Sequence, residues 1–179
     1  MLLRFLASGL AEGSISALNY AQKLVLLPQG VLVTALGTAV FPVLSGRAAG
    51  SDEAGFCRAL LRAVKVCLLT ALPAGVSLAV LREPVVRLLF ARGAFDERDE
   101  AMTAFALFCF SFGLAGQCLG PVLAQGFYAL KDTATPVKVG VCTVGLNLVF
   151  SLLFIRSLAH GGLALANSLA ATFNTAVLF

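Results

Sequence analysis

The sequence contains little charge, one histidine and no tryptophan. Of its 179 residues, 59% are hydrophobic and only 12% are charged, whereas a soluble domain carries about 25% charged residues. This composition excludes an ordinary water-soluble fold and indicates a lipid bilayer as the solvent. The basic excess is four charges spread over separate loops, which argues against a nucleic-acid partner.

Groups that carry chemistry are also lacking. The five cysteines form no CxxC pair and have no histidine nearby, so their spacing argues against a metal centre. The sequence has no phosphate-binding glycine loop and no nucleophile with a partner base, and His160 stands beside Gly161 in a predicted turn. We therefore expect no catalytic residue, no metal, no cofactor and no enzyme activity.

Long uncharged intervals predict five membrane spans, near residues 15–44, 62–81, 101–129, 136–155 and 161–179. A spanning helix needs about 20 apolar residues, and lipid offers no hydrogen-bond partner to an exposed backbone group. The predicted fold is therefore an all-α integral membrane protein. In the connection "KDTATP", Thr135 is the expected N-cap and Pro136 the expected first helical residue.

Three of the predicted spans contain an internal proline, namely Pro28, Pro73 and Pro121. Because proline has no N–H, each one deprives the carbonyl four residues earlier of its helical partner, as Pro121 does for Gln117. We expect the helices to kink there. Such kinks are typical of transporters, but channels and membrane enzymes share them, so the prolines alone do not decide between these classes.

Small residues recur at four-residue spacing, a pattern that predicts close contacts between membrane helices. The two pairs are Gly116 with Gly120, and Ala164 with Ser168. Two amides, Asn167 and Asn174, are seven residues apart and are therefore expected on one helix face.

All nine carboxylates fall in predicted loops or at helix ends, whereas Lys23 falls inside the first predicted span. Two interpretations of Lys23 stay open at this level. It either snorkels to the membrane interface, or it faces a hydrated cavity beside Asn19 and offers a cation to an anionic substrate. No carboxylate is placed as the proton or sodium site of a coupled antiporter.

Loop charges favour one orientation weakly. The two sides carry six Lys or Arg each, but one side has three acids and the other six. We expect the side with fewer acids to be cytoplasmic, and its Arg58, Arg62 and Lys65 to meet anionic membrane lipids. On the opposite side, Arg87 and Arg92 are predicted to lie on an amphipathic helix in the interface.

Four stretches carry a family resemblance. In chain order they are "GSISALNYAQKLVLLPQGVLVTALGTAVFPVLS", "LLFARGAF", "GFYALKDTATPVK" and "LAHGGLALANSLAATFN". They resemble the hallmark segments of the MurJ (MviN) family, the bacterial lipid II flippases. The resemblance implies the MOP exporter fold, in which two six-helix lobes surround a cavity beside two further helices.

On that template the chain is a fragment of the second lobe. Five spans are too few for two opposing lobes, so the first lobe of the same protein is its expected partner. The resemblance also implies multi-pass insertion in the bacterial cytoplasmic (inner) membrane, and it places Ser45–Leu60 in the cytoplasm, in agreement with the orientation from charge.

The resemblance implies a role for Lys23. Family members typically have an arginine there, which lines the cavity and meets the pyrophosphate of the lipid. Lysine keeps the charge but lacks the bidentate fork of arginine, and Gln22 stands where relatives often have an acid. The expected substrate-binding residues are Lys23, Asn19, Gln22 and Ser16.

The implied function is translocation of lipid II, an undecaprenyl-pyrophosphate-linked muropeptide, by alternating access. Two alternatives stay open. One is an exporter of another lipid-linked oligosaccharide or of a small drug, which intramembrane acids in the first lobe would favour. The other is a membrane scaffold that transports nothing. A loss of activity on neutralising Lys23 would argue against the scaffold.

Overall fold

The structure, a computed structural model, describes residues 13–90 and 96–179, and the side chains of all of these except residues 156–160. Arg92 and its predicted interfacial position lie outside the described residues. The described part of the chain is helical, which confirms the all-α fold. Its helices are α1 (Ser14–Ala49), α2 (Glu53–Val80), α3 (Arg82–Phe90), α4 (Glu97–Ser111), α5 (Leu114–Ala129) and α6 (Ala134–Leu178).

Helix α1 is the centre of the bundle and packs against α2, α4, α5 and α6. Its N-terminal half buries residues at three- and four-residue spacing, which places them on one helix face. They are Ser14, Ala17, Leu18, Ala21, Leu24 and Val25. The opposite face of the same half carries Lys23 and Leu27, both exposed.

A short turn joins α1 to α2 and is fixed by Asp52. One carboxylate oxygen of Asp52 accepts a hydrogen bond from the Gly55 amide at 2.9 Å, and the other accepts one from Arg47 at 2.8 Å. These contacts, the Gly55 amide first, hold the pKa of Asp52 below its usual value. A Cβ at position 55 would overlap the ends of the Asp52 and Arg47 side chains, so glycine lets both side chains pack against the start of α2 without moving.

Helices α4 and α5 meet at a bend of 44°. At the bend, the hydroxyl of Ser168 in α6 donates a hydrogen bond to the Cys109 carbonyl at 2.8 Å. Gly113 permits this approach, because a Cβ there would lie 2.5 Å from the Ser168 Cα. The contact expected at Ser168 is therefore confirmed. Its hydroxyl supplies a hydrogen-bond donor to the Cys109 carbonyl at the bend, where the end of α4 leaves carbonyls without helical partners.

Helix α6 folds back on itself. Its Thr143 and Asn174 side chains hydrogen bond at 3.2 Å although they are 31 residues apart, a separation of about 46 Å in a straight helix. Gly162 lies directly against the Phe154 backbone, which places the reversal close to these residues. We call residues 134–155 the first arm of α6 and residues 161–178 the second arm.

The second arm packs against the small residues of α5. A Cβ at Gly116 would lie 3.0 Å from the Thr172 Cα, and one at Gly120 would lie 2.9 Å from the side-chain nitrogen of Asn174. The predicted contact at Gly116 and Gly120 is thus confirmed, and the absent side chains bring the two backbones together.

The start of α6 differs from the expectation. Helix α6 begins at Ala134, after Thr133, so Thr135 is not its N-cap and Pro136 is not its first residue. Asp132 supplies the capping oxygens instead, because its carboxylate accepts bonds from the Ala134 and Thr135 amides and from the Thr135 hydroxyl. Because the ionised carboxylate satisfies the first amides and engages the Thr135 hydroxyl as a donor, the helix begins before Thr135.

Three helical segments are long and apolar enough to cross a membrane, namely α1, α2 and the first arm of α6. The bent pair of α4 and α5 satisfies the same test when taken together. These findings concern residues 13–90 and 96–179, and they rest on length and composition. The boundaries of five separate spans stay a prediction.

Candidate functional site

The predicted binding residues lie on the N-terminal half of α1, on the side away from its buried stripe. Ser16, Asn19 and Lys23 follow one another at three- and four-residue spacing and share a face, and Gln22 lies at its edge. Ser16, Gln22 and Lys23 are exposed, whereas Asn19 is half-buried. The structure thus brings the four side chains to one surface of α1.

Lys23 carries the positive charge of this surface. Its ammonium nitrogen lies 5.7 Å from the centroid of the Tyr20 ring, a distance at which a cation is attracted by the face of an aromatic ring. Within the described part of the chain, Lys23 forms no ion pair with a carboxylate. Its charge is therefore available to an anion approaching the exposed face of α1.

Tyr20 links this surface to α3. Its ring lies 4.7 Å from the ring of Phe90, with the two planes inclined by 41°. Since Phe90 ends the short helix α3, the aromatic pair fixes α3 beside the Lys23 end of α1. Sequence reasoning did not identify Tyr20. The available signal was its position three residues before Lys23, a spacing that brings two side chains together on the surface of a helix.

The same face of α1 continues beyond Lys23. Leu27 is 65% exposed and Val31 is 70% exposed, and Gly30 and Thr34 are exposed as well. Other described parts of this chain leave this strip of α1 uncovered. It is therefore the surface that lipid, a water-filled cavity or another part of a larger protein can contact.

Pro28, Pro73 and Pro121 all lie within continuous helices, as does Pro42, which sequence reasoning did not single out. The carbonyl freed by Pro121 has a defined partner, because the Gln29 side-chain amide donates a hydrogen bond to the Gln117 oxygen at 3.5 Å. Kinks at the prolines stay a prediction.

Two further amides surround this contact between α1 and α5. The Gln117 side-chain nitrogen and the Gln125 side-chain oxygen are buried without a hydrogen-bond partner among the described residues. Gln125 is packed against Gly37 of α1, where a Cβ would lie 2.7 Å from its nitrogen. A polar seam of Gln29, Gln117 and Gln125 therefore runs inside the bundle, apart from the exposed Lys23 surface.

A second polar seam joins the two arms of α6. Asn147 donates to Asn167 at 3.5 Å, and the Ser151 hydroxyl donates to Asn147 at 3.2 Å. Asn174 accepts the bond from Thr143 described above. Asn167 and Asn174 thus share the face that contacts the first arm, as their seven-residue spacing predicts, and their role here is to hold the arms together.

At the end of the molecule where α3 meets α4, charged residues line a cavity of about 520 Å³. Arg87 pairs with Glu100 at 3.5 Å, and the Arg82 guanidinium lies 4.8 Å from the Phe108 ring centroid. Both signs of charge are present, so the cavity has no strong preference for an anion. Within residues 13–90 and 96–179, no three His, Cys, Asp or Glu side chains gather to hold a metal ion.

Comparison with known proteins decides the family. The profile of the family described as "Lipid II flippase MurJ" matches residues 1–179. The chain belongs to the lipid II flippase MurJ family. The family resemblance noted in the sequence is therefore confirmed, and with it the assignment of the chain to a family of membrane transport proteins rather than enzymes.

Curated MurJ relatives and a solved MurJ structure agree with this assignment. A probable lipid II flippase MurJ of Vibrio cholerae is 34% identical over 175 residues, which cover 98% of this chain and 33% of the relative. The lipid II flippase MurJ of Burkholderia cenocepacia is 34% identical over 97% of this chain and 34% of its own length. The solved structure, described as lipid II flippase MurJ in the inward closed conformation, has a TM-score of 0.88 and 28% identity, over 97% of this chain and 36% of that chain.

The chain therefore spans about a third of the length of the MurJ relatives that it matches. It is a membrane protein of the MurJ family, and its helices superimpose on part of the MurJ fold.

Proposed function

We propose that the chain forms part of a flippase that moves lipid II from the cytoplasmic to the outer leaflet of the bacterial cytoplasmic membrane. Family membership over the whole chain supports this function. The observation that carries it is the position of Lys23, an exposed cation on an apolar helix long enough to cross a membrane. A charge within a membrane-spanning segment is costly unless it faces water or a polar ligand.

In this proposal Lys23 attracts the pyrophosphate of lipid II. Its ammonium offers three donors and a compact charge, without the two-point geometry of an arginine. Asn19 and Gln22 supply neutral donors and acceptors at the same surface, and Ser16 adds a hydroxyl two turns from Lys23. No covalent bond changes; the residues replace part of the hydration that the headgroup loses in the membrane.

The remainder of the flippase supplies the opposite wall of the cavity. The strip of α1 from Ser16 to Thr34 would face that wall, and alternating access would move the two walls relative to each other. Multi-pass insertion in the inner membrane, and partnership with the other lobe of the same protein, belong to the same proposal.

The experiment is complementation in a cell depleted of its own lipid II flippase. The tested protein is a flippase that contains these 179 residues, either encoded with them or made by replacing the matching third of the Vibrio cholerae relative. Lys23, Lys23→Arg and Lys23→Ala are compared at equal membrane levels. Lys138→Ala, which removes an exposed lysine on α6, is the matched control.

Survival with lysine or arginine, but not with alanine, is the expected result, together with accumulation of lipid II in the inner leaflet of the alanine strain. Growth of all three variants would show that Lys23 snorkels to the interface. Failure of all three, with Lys138→Ala failing too, would contradict the flippase assignment and direct the search to another lipid-linked cargo, to a drug, or to a scaffold role.

A further inference from the structure

A groove between the end of α1 and the start of α2 has the chemistry of a lipid site. It has a volume of about 510 Å³. We call it the arginine groove and define it by six of its lining residues, which are Val40, Val43, Arg47, Arg58, Arg62 and Val66. Charged side chains thus lie beside apolar ones in a single concave surface.

The arginine groove carries a net positive charge. Arg47 is held by Asp52 at 2.8 Å, so its charge is largely balanced. Arg58 and Arg62 are one helical turn apart on α2, both are exposed, and neither forms an ion pair with a carboxylate in the described part of the chain. The charge of Arg58 also acts on Asp52, but three arginines against this one carboxylate leave the groove positive. Two guanidinium groups one turn apart can both donate to one phosphate.

The apolar wall continues away from the arginines. Val43 is 47% exposed and Val66 is 43% exposed, and Leu69, nearly one turn further along α2, is 74% exposed. These residues lie toward the middle of α1 and α2, both of which are long and apolar enough to cross a membrane. A ligand that fills the groove therefore has an anionic head at one end and an apolar tail at the other.

We propose that the arginine groove binds an anionic phospholipid. The phosphate lies between Arg58 and Arg62, and an acyl chain follows Val43 and Val66 toward the membrane interior. A free phosphate would use the arginines but leave the apolar wall uncovered, so the lipid fits the whole surface and the free ion only part of it. A zwitterionic phospholipid would bring an ammonium group to a surface that is already cationic.

This site is separate from the Lys23 surface. Arg47 follows Lys23 by 24 residues in α1, about 36 Å along a straight helix, so the two lie toward opposite ends of α1. The proposal therefore does not depend on lipid II transport. It depends on the membrane setting and on the charge balance of the groove.

The test measures lipid binding to the purified flippase that contains these residues, in a neutral detergent. Dioleoyl phosphatidylglycerol is the probe, dioleoyl phosphatidylethanolamine is the zwitterionic comparison, and inorganic phosphate is the competitor. Native mass spectrometry counts bound lipid, and the melting temperature with and without lipid reports folding. The variants are Arg58→Gln/Arg62→Gln, Arg58→Lys/Arg62→Lys and, as a control of equal charge loss, Arg87→Gln/Arg98→Gln.

We expect phosphatidylglycerol to bind in preference to phosphatidylethanolamine and to raise the melting temperature. The double glutamine variant should bind it about 10- to 30-fold more weakly, the double lysine variant should keep most of the binding, and the control pair should be unaffected. Val43→Asp, which retains both arginines but places a negative charge on the apolar wall, should also weaken binding.

Three outcomes would overturn the proposal. Equal binding of the two phospholipids would remove the role of charge. Displacement of the lipid by inorganic phosphate would show an anion site without lipid specificity. Unchanged binding in Val43→Asp would show that no acyl chain follows the wall, and it decides the question even if the double glutamine variant does not fold.

Discussion

The side-chain nitrogen of Gln29 in α1 lies 3.5 Å from the backbone oxygen of Gln117 in α5 and donates a hydrogen bond to it. This oxygen is the one that Pro121 leaves without a helical partner, because proline has no N–H. Helix α1 therefore supplies the bond that α5 cannot make for itself. Gln29 therefore compensates for the N–H that Pro121 lacks, although the two residues are 92 positions apart in the sequence.

Replacing Gln29 tests this pairing. Gln29→Leu should lower the free energy of unfolding by about 1 kcal/mol, because the half-buried Gln117 carbonyl would lose its donor. In a Pro121→Ala background the alanine N–H restores the helical bond, so the same change at Gln29 should cost much less. Unfolding in detergent by increasing denaturant gives the four free energies of this double-mutant cycle.

Additive effects of the two substitutions would contradict the pairing. Leu27→Ala, two positions away on the exposed face of α1, is the control, and it should behave alike in both backgrounds.

Gly113 allows α5 and the second arm of α6 to touch. Gly113→Ala should destabilise the fold by about 1–3 kcal/mol or more, because the new methyl group would overlap backbone atoms at Ser168 that cannot rotate away. Gly145→Ala is the matched control, since no atom lies within 4 Å of a Cβ there, and alanine in an open helical position is neutral or stabilising. Thermal unfolding of both variants in one detergent measures the difference, and equal melting temperatures would refute the close contact.

Asp132 should make the start of α6 sensitive to acid. The Thr135 hydroxyl and amide, followed by the Ala134 amide, hold the pKa of Asp132 below its usual value of 3.8. A lowered pKa in the folded state means that this carboxylate stabilises the turn above the unfolded pKa, and that the stabilisation is lost as the pH falls through the folded pKa. The protection factor of the Thr135 amide, which compares its exchange rate with the intrinsic rate at the same pH, should therefore fall below about pH 4.

In Asp132→Asn the exchange at Thr135 should already be faster at neutral pH and should lose this acid-dependent step. The Gly55 amide, which is held by Asp52, serves as an internal control that keeps its own acid dependence in the variant. Persistence of the Thr135 step in Asp132→Asn would assign it to another group.

The reversal within α6 can be tested by cross-linking. In a background with the native cysteines replaced by serine, Thr143→Cys and Asn174→Cys should form a disulfide on mild oxidation, because the native side chains approach to 3.2 Å. Thr143→Cys with Ala164→Cys is the control, since position 164 lies ten residues before Asn174 along the second arm. Gel mobility after protease cleavage between the arms reads out the bond, and no cross-link at 143 and 174 would show that the arms are not paired.

Local sequence patterns predicted much of the fold. The uncharged intervals predicted helices, and the spacing of Gly116 and Gly120 predicted a close helix contact, because both signals depend on residues near one another in sequence. The N-cap at Thr135 was wrong for a local reason as well: Asp132, three residues earlier, accepts hydrogen bonds from the Ala134 and Thr135 amides and from the Thr135 hydroxyl, so the helix begins before Thr135.

Contacts between distant helices were beyond this reasoning. No residue near Gln29 in the sequence predicts Gln117 as its partner, since the pairing depends on how α1 and α5 are aligned in the bundle. The position of Lys23 beside Asn19 followed from the sequence, but its substrate-binding role was predicted from the resemblance. That role stays a prediction, because the wall that would face it is not formed by the described part of the chain.

The seam of amides between the two arms of α6 has a consequence for biogenesis. An arm that entered the bilayer alone would expose Asn147, or Asn167 and Asn174, to hydrocarbon, where an unpaired amide is costly. When both arms enter together, Asn147 meets Asn167 and Asn174 meets Thr143. We therefore expect the insertion machinery to retain the first arm until the second has been synthesised, and to release the two into lipid as a single helical hairpin.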